Sequence, residues 1–268
     1  MTSRVRILLP VYRQIRRLLT AYCGVRFTFR SIEIDVYSRC NRRCAYCPNS
    51  VHNQVPHKME SDIFQKIIDE LEAMEFNGTI ALHRYGEPLL DARLDDFITR
   101  IKVKVPQSKV HINSNGDLLN YRRFKMLLEA GVDYFAITSH DDTLGESLKE
   151  LDEQAAAEER KKYRIVPSRH LMLHSRAGAV DLENIPTLAG RRSAKQSDSC
   201  YSFCSTIVIN SYGRAVFCCN DYFSEAVLGD LREKTLLEIW RGKEYMSYRK
   251  ALARGARSRF KLCSNCEM

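Results

Sequence analysis

The segment Cys40-Asn-Arg-Arg-Cys44-Ala-Tyr-Cys47 carries three cysteines with the spacing CX3CX2C. A cluster of four irons has one ligand site on each iron, so three thiolates leave one iron open to a ligand that is not protein. The alternative is a zinc site, but tetrahedral zinc takes four ligands, commonly from two CX2C pairs. His52 and His57 are the nearest further candidates, and their spacing suits such a site poorly. The segment therefore favours an iron–sulfur cluster with one open iron.

The residues that follow this segment alternate between predicted strands and helices. Strands are predicted over residues 31–36, 79–82, 109–112, 132–138 and 170–174, and helices over residues 61–74, 95–103, 121–130 and 143–162. This rhythm is typical of parallel strands with helices on the outer face. The repeat is too short for an eight-fold barrel. We therefore expect an α/β fold in which residues 31–185 form a partial, open parallel β/α barrel.

The cysteines form two groups that are far apart in the sequence. Ten are present among 268 residues, yet none lies between Cys47 and Cys200. Separated groups are typical of metal-ligand sets rather than of the disulfide framework of a small secreted protein. Because thiolate ligands must stay reduced until a cluster is loaded, we expect a cytoplasmic protein.

Residues 1–30 contain seven arginines and no Asp or Glu, and they account for most of the net charge of +9. Their apolar residues have helical spacing, so we expect a basic helical extension on the outside of the main domain. Contact with a membrane surface is the alternative. The apolar run over residues 7–12 is too short to span a membrane, and no signal-peptide cleavage site follows it. No motif indicates binding to nucleic acid.

The pattern changes after about residue 198. Residues 205–210 and 214–217 flank a turn at Ser211-Tyr-Gly213, which predicts a β-hairpin, and residues 236–252 are predicted to be helical. Six cysteines lie in this part of the chain: Cys200, Cys204, Cys218, Cys219, Cys263 and Cys266. Units of this size often need a metal for stability. We therefore expect a small α+β domain over residues 198–268 that binds a metal group.

With these features the chain resembles the radical S-adenosylmethionine (SAM) superfamily over residues 31–266. In that family the open iron binds the amino and carboxylate groups of SAM, and reductive cleavage gives a 5′-deoxyadenosyl radical. The residue before the third cysteine is usually aromatic and lies by the adenine; here it is Tyr46. Gly86, Glu87 and Pro88 match the turn that receives the SAM amino group, and Ser114 and Asn115 match the polar segment that meets the ribose. The resemblance implies that SAM and a [4Fe-4S] cluster are cofactors.

The tail resembles the auxiliary-cluster domains of the same superfamily, called SPASM and, in a shortened form, twitch. Their signature is a cysteine, a hairpin glycine about a dozen residues later, and a second cysteine five residues after that glycine. Cys200, Gly213 and Cys218 fit it, and Cys263 and Cys266 complete a set of four. A full SPASM domain carries a longer run of cysteines. The resemblance therefore implies one auxiliary [4Fe-4S] cluster, with a zinc knuckle as the alternative.

The remaining cysteines have no place in these two sets. Cys204 and Cys219 are expected to be spare buried thiols, and Cys23 an ordinary apolar residue.

An auxiliary cluster can accept the electron that a substrate radical loses when a carbinol carbon becomes a ketone. Among twitch enzymes, the cysteine spacing is most similar to that of a dehydrogenase acting on an aminocyclitol. We therefore expect oxidation of a small polyol, aminocyclitol or sugar, with a flavodoxin- or ferredoxin-type protein as the reductant. The alternatives are modification of a peptide by thioether or carbon–carbon crosslinks, and a non-catalytic metal-binding module.

Candidates for contact with the substrate follow from the same resemblance. Arg176 matches a position that contacts substrate in the related dehydrogenase; it is a poor base, so we expect it to donate hydrogen bonds, with a surface role as the alternative. Asn220 and Asp221 follow the cluster cysteines directly and are expected to line the cavity, with Asp221 as a proton acceptor. His140 is a second candidate acceptor, although a lone histidine more often has a structural role.

Overall fold

The computed structural model describes residues 18, 28–141, 143–185, 200 and 204–267. The predicted N-terminal helix and Cys23 lie outside these residues. Among the described helices, none combines the length and the apolar character that a membrane crossing requires.

One sheet of eight strands organises the described residues. The strands are β1 (Ser31–Ile34), β2 (Thr79–Ala81), β3 (Lys109–Ser114), β4 (Tyr134–Ser139), β5 (Tyr163–Pro167), β6 (Thr206–Ile209), β7 (Arg214–Val216) and β8 (Val227–Asp230). Their order across the sheet is β5-β4-β3-β2-β1-β6-β7-β8. The strands from β5 to β6 in this order are parallel, whereas β7 and β8 are antiparallel additions. The C-terminal ends of six parallel strands therefore meet at one edge of the sheet.

The helices that connect the parallel strands pack side by side on one face of the sheet. The helices between parallel strands are α1 (Pro48–Val51), α2 (Ser61–Ala73), α3 (Leu94–Lys104), α4 (Tyr121–Ala130), α5 (Glu146–Gln154) and α6 (Ala157–Arg160). Three more follow β8: α7 (Leu236–Arg241), α8 (Lys243–Ala253) and α9 (Lys261–Ser264). The ring of Phe64 on α2 stacks on that of Phe97 on α3, with centroids 3.9 Å apart. Right-handed crossovers between neighbouring parallel strands place their helices on the same face, as observed.

Strand β1 shows how the two faces of the sheet differ. Ile32 and Ile34 are fully buried against the helices, which stabilises the fold by roughly 1.5–3 kcal/mol for each side chain. Because side chains alternate along a strand, Ser31 and Glu33 point to the opposite face. That face is the inside of the open barrel, and its polar residues are available to a ligand.

The fifth strand differs from the sequence prediction. It is β5, Tyr163–Pro167, and not the predicted segment 170–174, which begins at the last residue of a single 3₁₀ turn, Ser168–His170. The predicted helix over residues 143–162 is also divided, because the extended backbone of Ala155 and Ala156 separates α5 from α6. The alternation of Tyr163, Ile165 and Pro167 within a charged stretch was too weak to indicate a strand.

The C-terminal segment is joined to the main sheet. Strand β6 pairs in parallel with β1, with Ser31 opposite Thr206, and the predicted hairpin β6–β7 extends the sheet further. The hydroxyls of Ser31 and Thr206 lie 2.6 Å apart. The second group of cysteines is therefore carried by the same sheet as the first.

Candidate functional site

The first group of cysteines lies in the loop between β1 and α1. Cys40, Cys44 and Cys47 are free, partly buried thiols, and they are close enough for their charges to interact. Burial raises the pKa of all three, that of Cys44 to about 11, so metal binding must displace their protons. Three thiols in one loop fit a [4Fe-4S] cluster with one open iron.

The segment Gly86-Glu87-Pro88 follows β2 and contacts the backbone just before Cys40. The amide of Glu87 donates a hydrogen bond to the carbonyl of Arg39 at 2.8 Å. A Cβ atom on Gly86 would lie 1.8 Å from the carbonyl oxygen of Tyr37. Glycine is therefore needed at this position, because any side chain would push the turn away from the cysteine loop.

The carboxylate of Glu87 is buried and joins this turn to the end of β3. It accepts hydrogen bonds from the amide of Leu89 at 3.1 Å, the hydroxyl of Ser114 at 2.9 Å and the amide of Asn115 at 2.8 Å. A carboxylate offers about four acceptor sites, so about one remains for a further donor such as an ammonium group. Burial raises the pKa of Glu87, and a cationic ligand would favour its ionised form.

Replacing Glu87 with glutamine is expected to weaken SAM binding by roughly 1–3 kcal/mol, because a charge-assisted hydrogen bond to the SAM ammonium is lost. Iron content should not change, since Glu87 contacts no cysteine sulfur in the described hydrogen bonds. An anaerobic SAM titration and an iron assay measure the two quantities. Unchanged SAM affinity at wild-type iron content would show that Glu87 only stabilises the turn.

Ser114 and Asn115, which were predicted to meet the ribose of SAM, lie beneath the cysteine loop. Both residues are buried. The side-chain nitrogen Nδ2 of Asn115 donates to Asn41 Oδ1 at 2.8 Å and lies 3.9 Å from the sulfur of Cys40. The structure therefore brings Glu87, Ser114 and Asn115 together next to the first cysteines. Their contact with SAM stays a prediction.

Tyr46 and His140 form a pair at the first cysteines. The Tyr46 hydroxyl lies 2.9 Å from Nδ1 of His140, and the sulfur of Cys44 lies 3.3 Å from the same atom. Burial and the charge of Arg42 lower the pKa of His140. His140 therefore belongs to the surroundings of the first cysteine set, a position that does not support the proton-acceptor role considered for it.

The second group brings together the four cysteines predicted as auxiliary-cluster ligands. Cys200 interacts electrostatically with Cys218 and with Cys263, which in turn interacts with Cys266. Burial raises the pKa of Cys263 to about 12. The side-chain amide of Asn220 lies 3.7 Å from the sulfur of Cys266. Four neighbouring thiols fit a cluster with all of its irons ligated by protein.

Of the two cysteines of the tail that were expected to be spare thiols, Cys219 is a free thiol and Cys204 is not. Cys204 is buried and disulfide-bonded. Cys219 shares a hydrogen bond with Cys218 and lies near the positive charges of Arg176 and Arg84, in the interior of the barrel.

Among the described residues, no three or more His, Cys, Asp or Glu side chains are close enough to hold a single metal ion.

Asn220 and Asp221 have different roles despite being neighbours. Asn220 accepts a hydrogen bond from Arg176 through Oδ1 at 3.4 Å. The carboxylate of Asp221 instead accepts from the amides of Glu225 at 2.8 Å and Ala226 at 2.9 Å, which closes its own loop. The structure thus supports a structural role for Asp221 rather than the expected role as a proton acceptor.

Arg176 is within electrostatic range of both cysteine groups. Burial raises the pKa of Cys47 in the first group and the charge of Arg176 opposes this shift, whereas the hydrogen bond with Cys218 lowers the pKa of Cys219 beside the second group and the charge of Arg176 adds to it. Arg176 and Ala177 have positive φ values of 52° and 57°, which are strained for residues with a side chain. The turn is held by Ser175, whose amide donates to the carboxylate of Glu267 at 2.6 Å. The C-terminal end of the chain therefore positions Arg176.

Sequence reasoning missed three residues that surround the same interior space. Glu33 on β1 interacts with the charges of Cys219, Arg84 and Arg176, and burial raises its pKa to about 8. Arg84 follows β2 and donates to the carbonyl of Asp221. The Tyr85 hydroxyl is buried without a hydrogen-bond partner among the described residues. The alternation Ile32-Glu33-Ile34 was the available signal, since it places a carboxylate inside the barrel.

Two family models match the chain. The model of the radical SAM superfamily matches residues 34–143, and that of the SPASM iron–sulfur cluster-binding domain matches residues 200–267. These ranges contain the first and the second cysteine groups, respectively.

Known proteins with similar sequences and structures cover most of the chain. The S-adenosyl-L-methionine-dependent 2-deoxy-scyllo-inosamine dehydrogenase of Niallia circulans is 32% identical over 239 residues, which are 89% of this chain and 92% of that protein. The crystal structure of BtrN in complex with AdoMet and 2-DOIA has a TM-score of 0.81 and 31% identity, and the match covers 90% of this chain and 93% of BtrN. Native anSMEcpe with bound AdoMet, at a TM-score of 0.56 and 15% identity over 83% of each chain, shares the fold. The chain therefore belongs to the radical SAM superfamily, with a C-terminal domain of the SPASM type, and its cofactors are SAM and iron–sulfur clusters.

Proposed function

We propose that this enzyme is a SAM-dependent dehydrogenase that oxidises a carbinol carbon of an aminocyclitol to a ketone. The observation that carries the proposal is the position of Arg176, which is within electrostatic range of both cysteine groups and contacts Asn220 at 3.4 Å. A substrate bound there would lie between the two proposed cluster sites. Similarity to an aminocyclitol dehydrogenase over most of both chains supports the choice of substrate.

The residues for each cofactor follow from the site. Cys40, Cys44 and Cys47 would hold the SAM-binding cluster, and Glu87, Ser114 and Asn115 would bind SAM with Tyr46. The auxiliary cluster would be held by Cys200, Cys218, Cys263 and Cys266. When bound, these groups supply abstraction of a hydrogen atom and acceptance of an electron.

The protein residues bind the substrate and remove its proton. Arg176 and the side-chain amide of Asn220, which contact each other, would orient a substrate hydroxyl and so determine which carbon reacts. An arginine side chain is a poor base, and the carboxylate of Asp221 accepts hydrogen bonds from its own loop, so neither Arg176 nor Asp221 is a suitable proton acceptor. Glu33 is a suitable proton acceptor, because burial raises the pKa of its carboxyl group to a value close to the pH at which an enzyme works.

Incubation with 2-deoxy-scyllo-inosamine tests the proposal. The reconstituted enzyme, supplied with SAM and an electron donor without oxygen, should form 5′-deoxyadenosine and a product that has lost two hydrogen atoms. The product is identified by mass after derivatisation of its ketone. Formation of 5′-deoxyadenosine only with a peptide, accompanied by crosslinking of that peptide, would favour the alternative of peptide modification.

Replacing Glu33 with glutamine is expected to lower the rate of ketone formation by about 10²–10⁴-fold, because glutamine cannot take the proton. In the wild-type enzyme this rate should rise with pH through about 8, since Glu33 accepts a proton only after losing its own. The measurement is a pH profile of product formation for both proteins. A glutamine variant with the wild-type rate and pH profile would exclude Glu33 as the acceptor.

We also propose a flavodoxin- or ferredoxin-type protein as the reductant and the cytoplasm as the location. The support is chemical: the seven free cysteines proposed as cluster ligands must stay reduced to receive clusters, and SAM cleavage consumes a low-potential electron.

A further inference from the structure

Arg42 lies between Cys40 and Cys44, and its guanidinium group binds two carboxylates. Nε and Nη2 donate to Asp117 at 2.7 and 2.6 Å, and Nη1 and Nη2 donate to Asp141 at 3.2 and 2.8 Å. Both contacts are bidentate, which fixes the orientation of the guanidinium plane as well as its position. Asp117 follows β3 and Asp141 follows β4, so Arg42 ties the cysteine loop to the ends of two strands.

Asp117 connects this ion pair to the residues beneath the loop. Its carboxylate accepts a third hydrogen bond, from Asn41 at 2.7 Å, so two consecutive residues between the cysteines are bound to it. Its amide donates to Asn115 Oδ1 at 3.0 Å, and its carbonyl accepts from Ser147 at the start of α5 at 3.0 Å. The backbone amide of Asn115 in turn donates to the carboxylate of Glu87 at 2.8 Å. A continuous set of hydrogen bonds thus runs from the cysteine loop to the Glu87 turn.

The two carboxylates differ in exposure, and this predicts which contact is the stronger. The side chain of Asp117 is 28% exposed, whereas that of Asp141 is 56% exposed. Solvent screens an exposed pair more strongly, so the contact with Asp117 holds the loop and that with Asp141 supports it.

We propose that Arg42 is a positioning residue, whose paired contacts with Asp117 and Asp141 hold the Cys40–Cys44 loop in register with the SAM-binding residues. The inference rests on the assignment of Cys40, Cys44 and Cys47 as ligands of the SAM-binding cluster. It does not depend on the identity of the substrate. Arg42 acts on SAM through the loop and through Asn115, without needing to contact SAM itself.

The neighbouring Arg43 supplies a matched control. It is exposed, and among the described residues it donates only to the carbonyl of Asn49 and to Asn53, both close to it in sequence. Arg42→Ala and Arg43→Ala remove the same side chain from adjacent positions of one loop. A difference between them therefore reports the contacts with Asp117 and Asp141 rather than the loss of a charge.

The experiment compares these variants with Arg42→Lys, Asp117→Asn and the wild-type protein in three measurements that need no substrate. Hydrogen exchange of residues 40–47 in the cluster-free protein should become about tenfold faster in Arg42→Ala, because two bidentate contacts are lost. After reconstitution, SAM affinity should fall by about tenfold, and the change that SAM causes in the electron paramagnetic resonance spectrum of the reduced cluster should shrink. Arg43→Ala should match the wild-type protein in all three.

Further results support or overturn the inference. Asp117→Asn should resemble Arg42→Ala. Arg42→Lys should fall between Arg42→Ala and the wild-type protein, since lysine keeps the positive charge but cannot form the bidentate contacts of the guanidinium group. Unaltered exchange of helices α2 and α3 checks that the fold is intact. Wild-type loop exchange and a wild-type SAM-dependent spectrum in Arg42→Ala would overturn the inference, as would equal defects in Arg42→Ala and Arg43→Ala. Failure to oxidise an aminocyclitol would count against the proposed function alone.

Discussion

Replacing Cys40, Cys44 and Cys47 with alanine is expected to abolish 5′-deoxyadenosine formation and to leave about four of about eight irons per chain. On the proposed assignment these three free thiols are the protein ligands of the SAM-binding cluster, so the variant would have none left to hold it. The second group of cysteines lies elsewhere in the chain, with Cys200 before β6, Cys218 after β7, and Cys263 and Cys266 in and after α9, and it should still bind its cluster.

The iron that remains serves as the internal control for folding. A soluble variant with about four irons and no SAM cleavage supports the assignment of the first group. SAM cleavage that persists on reduction of the triple variant would show that the open iron is held elsewhere. Loss of all iron would mean that the tail does not bind a cluster independently.

Much of the candidate site could be predicted from the sequence, because its chemistry depends on the spacing of a few residues along the chain. The CX3CX2C segment and the paired cysteines of the tail are local patterns, and the Gly86-Glu87-Pro88 turn follows a strand at the expected edge of the sheet. The close approach of Gly86 to Tyr37 gives a physical reason for the glycine. Local patterns of this kind are visible without knowledge of the fold.

The parts that sequence reasoning missed depend on contacts between distant residues. Pairing of β6 with β1 joins residues that are about 175 positions apart, and no local signal indicates it. Asp221 looked free to react until the fold showed its carboxylate bound to its own loop. Glu33 looked like an ordinary strand residue, because its neighbours Arg84, Arg176 and Cys219 come from other parts of the chain.

Replacing Cys218 or Cys263 with alanine is expected to separate hydrogen abstraction from oxidation. Either change removes one of the four neighbouring thiols of the second group and should strip or cripple the auxiliary cluster. The first group is untouched, so SAM cleavage and 5′-deoxyadenosine formation should continue. Ketone formation should fall to the background level, because the substrate radical has lost its electron acceptor.

Folding must be checked in these variants, since metal binding can contribute folding energy to a small unit. The turn at Ser175 is also held by Glu267, which lies beside Cys266, so a disordered tail would displace Arg176. Solubility and an iron content of about four per chain identify the variants that can be interpreted.

The ratio of ketone product to 5′-deoxyadenosine in a folded Cys218→Ala variant tests the central claim most directly. The claim is that the substrate lies between two clusters and gives its electron to the second one. It predicts a ratio close to zero, with 5′-deoxyadenosine still formed. A ratio at the wild-type value, in a variant shown to lack the second cluster, would contradict the claim and leave that cluster with a structural role.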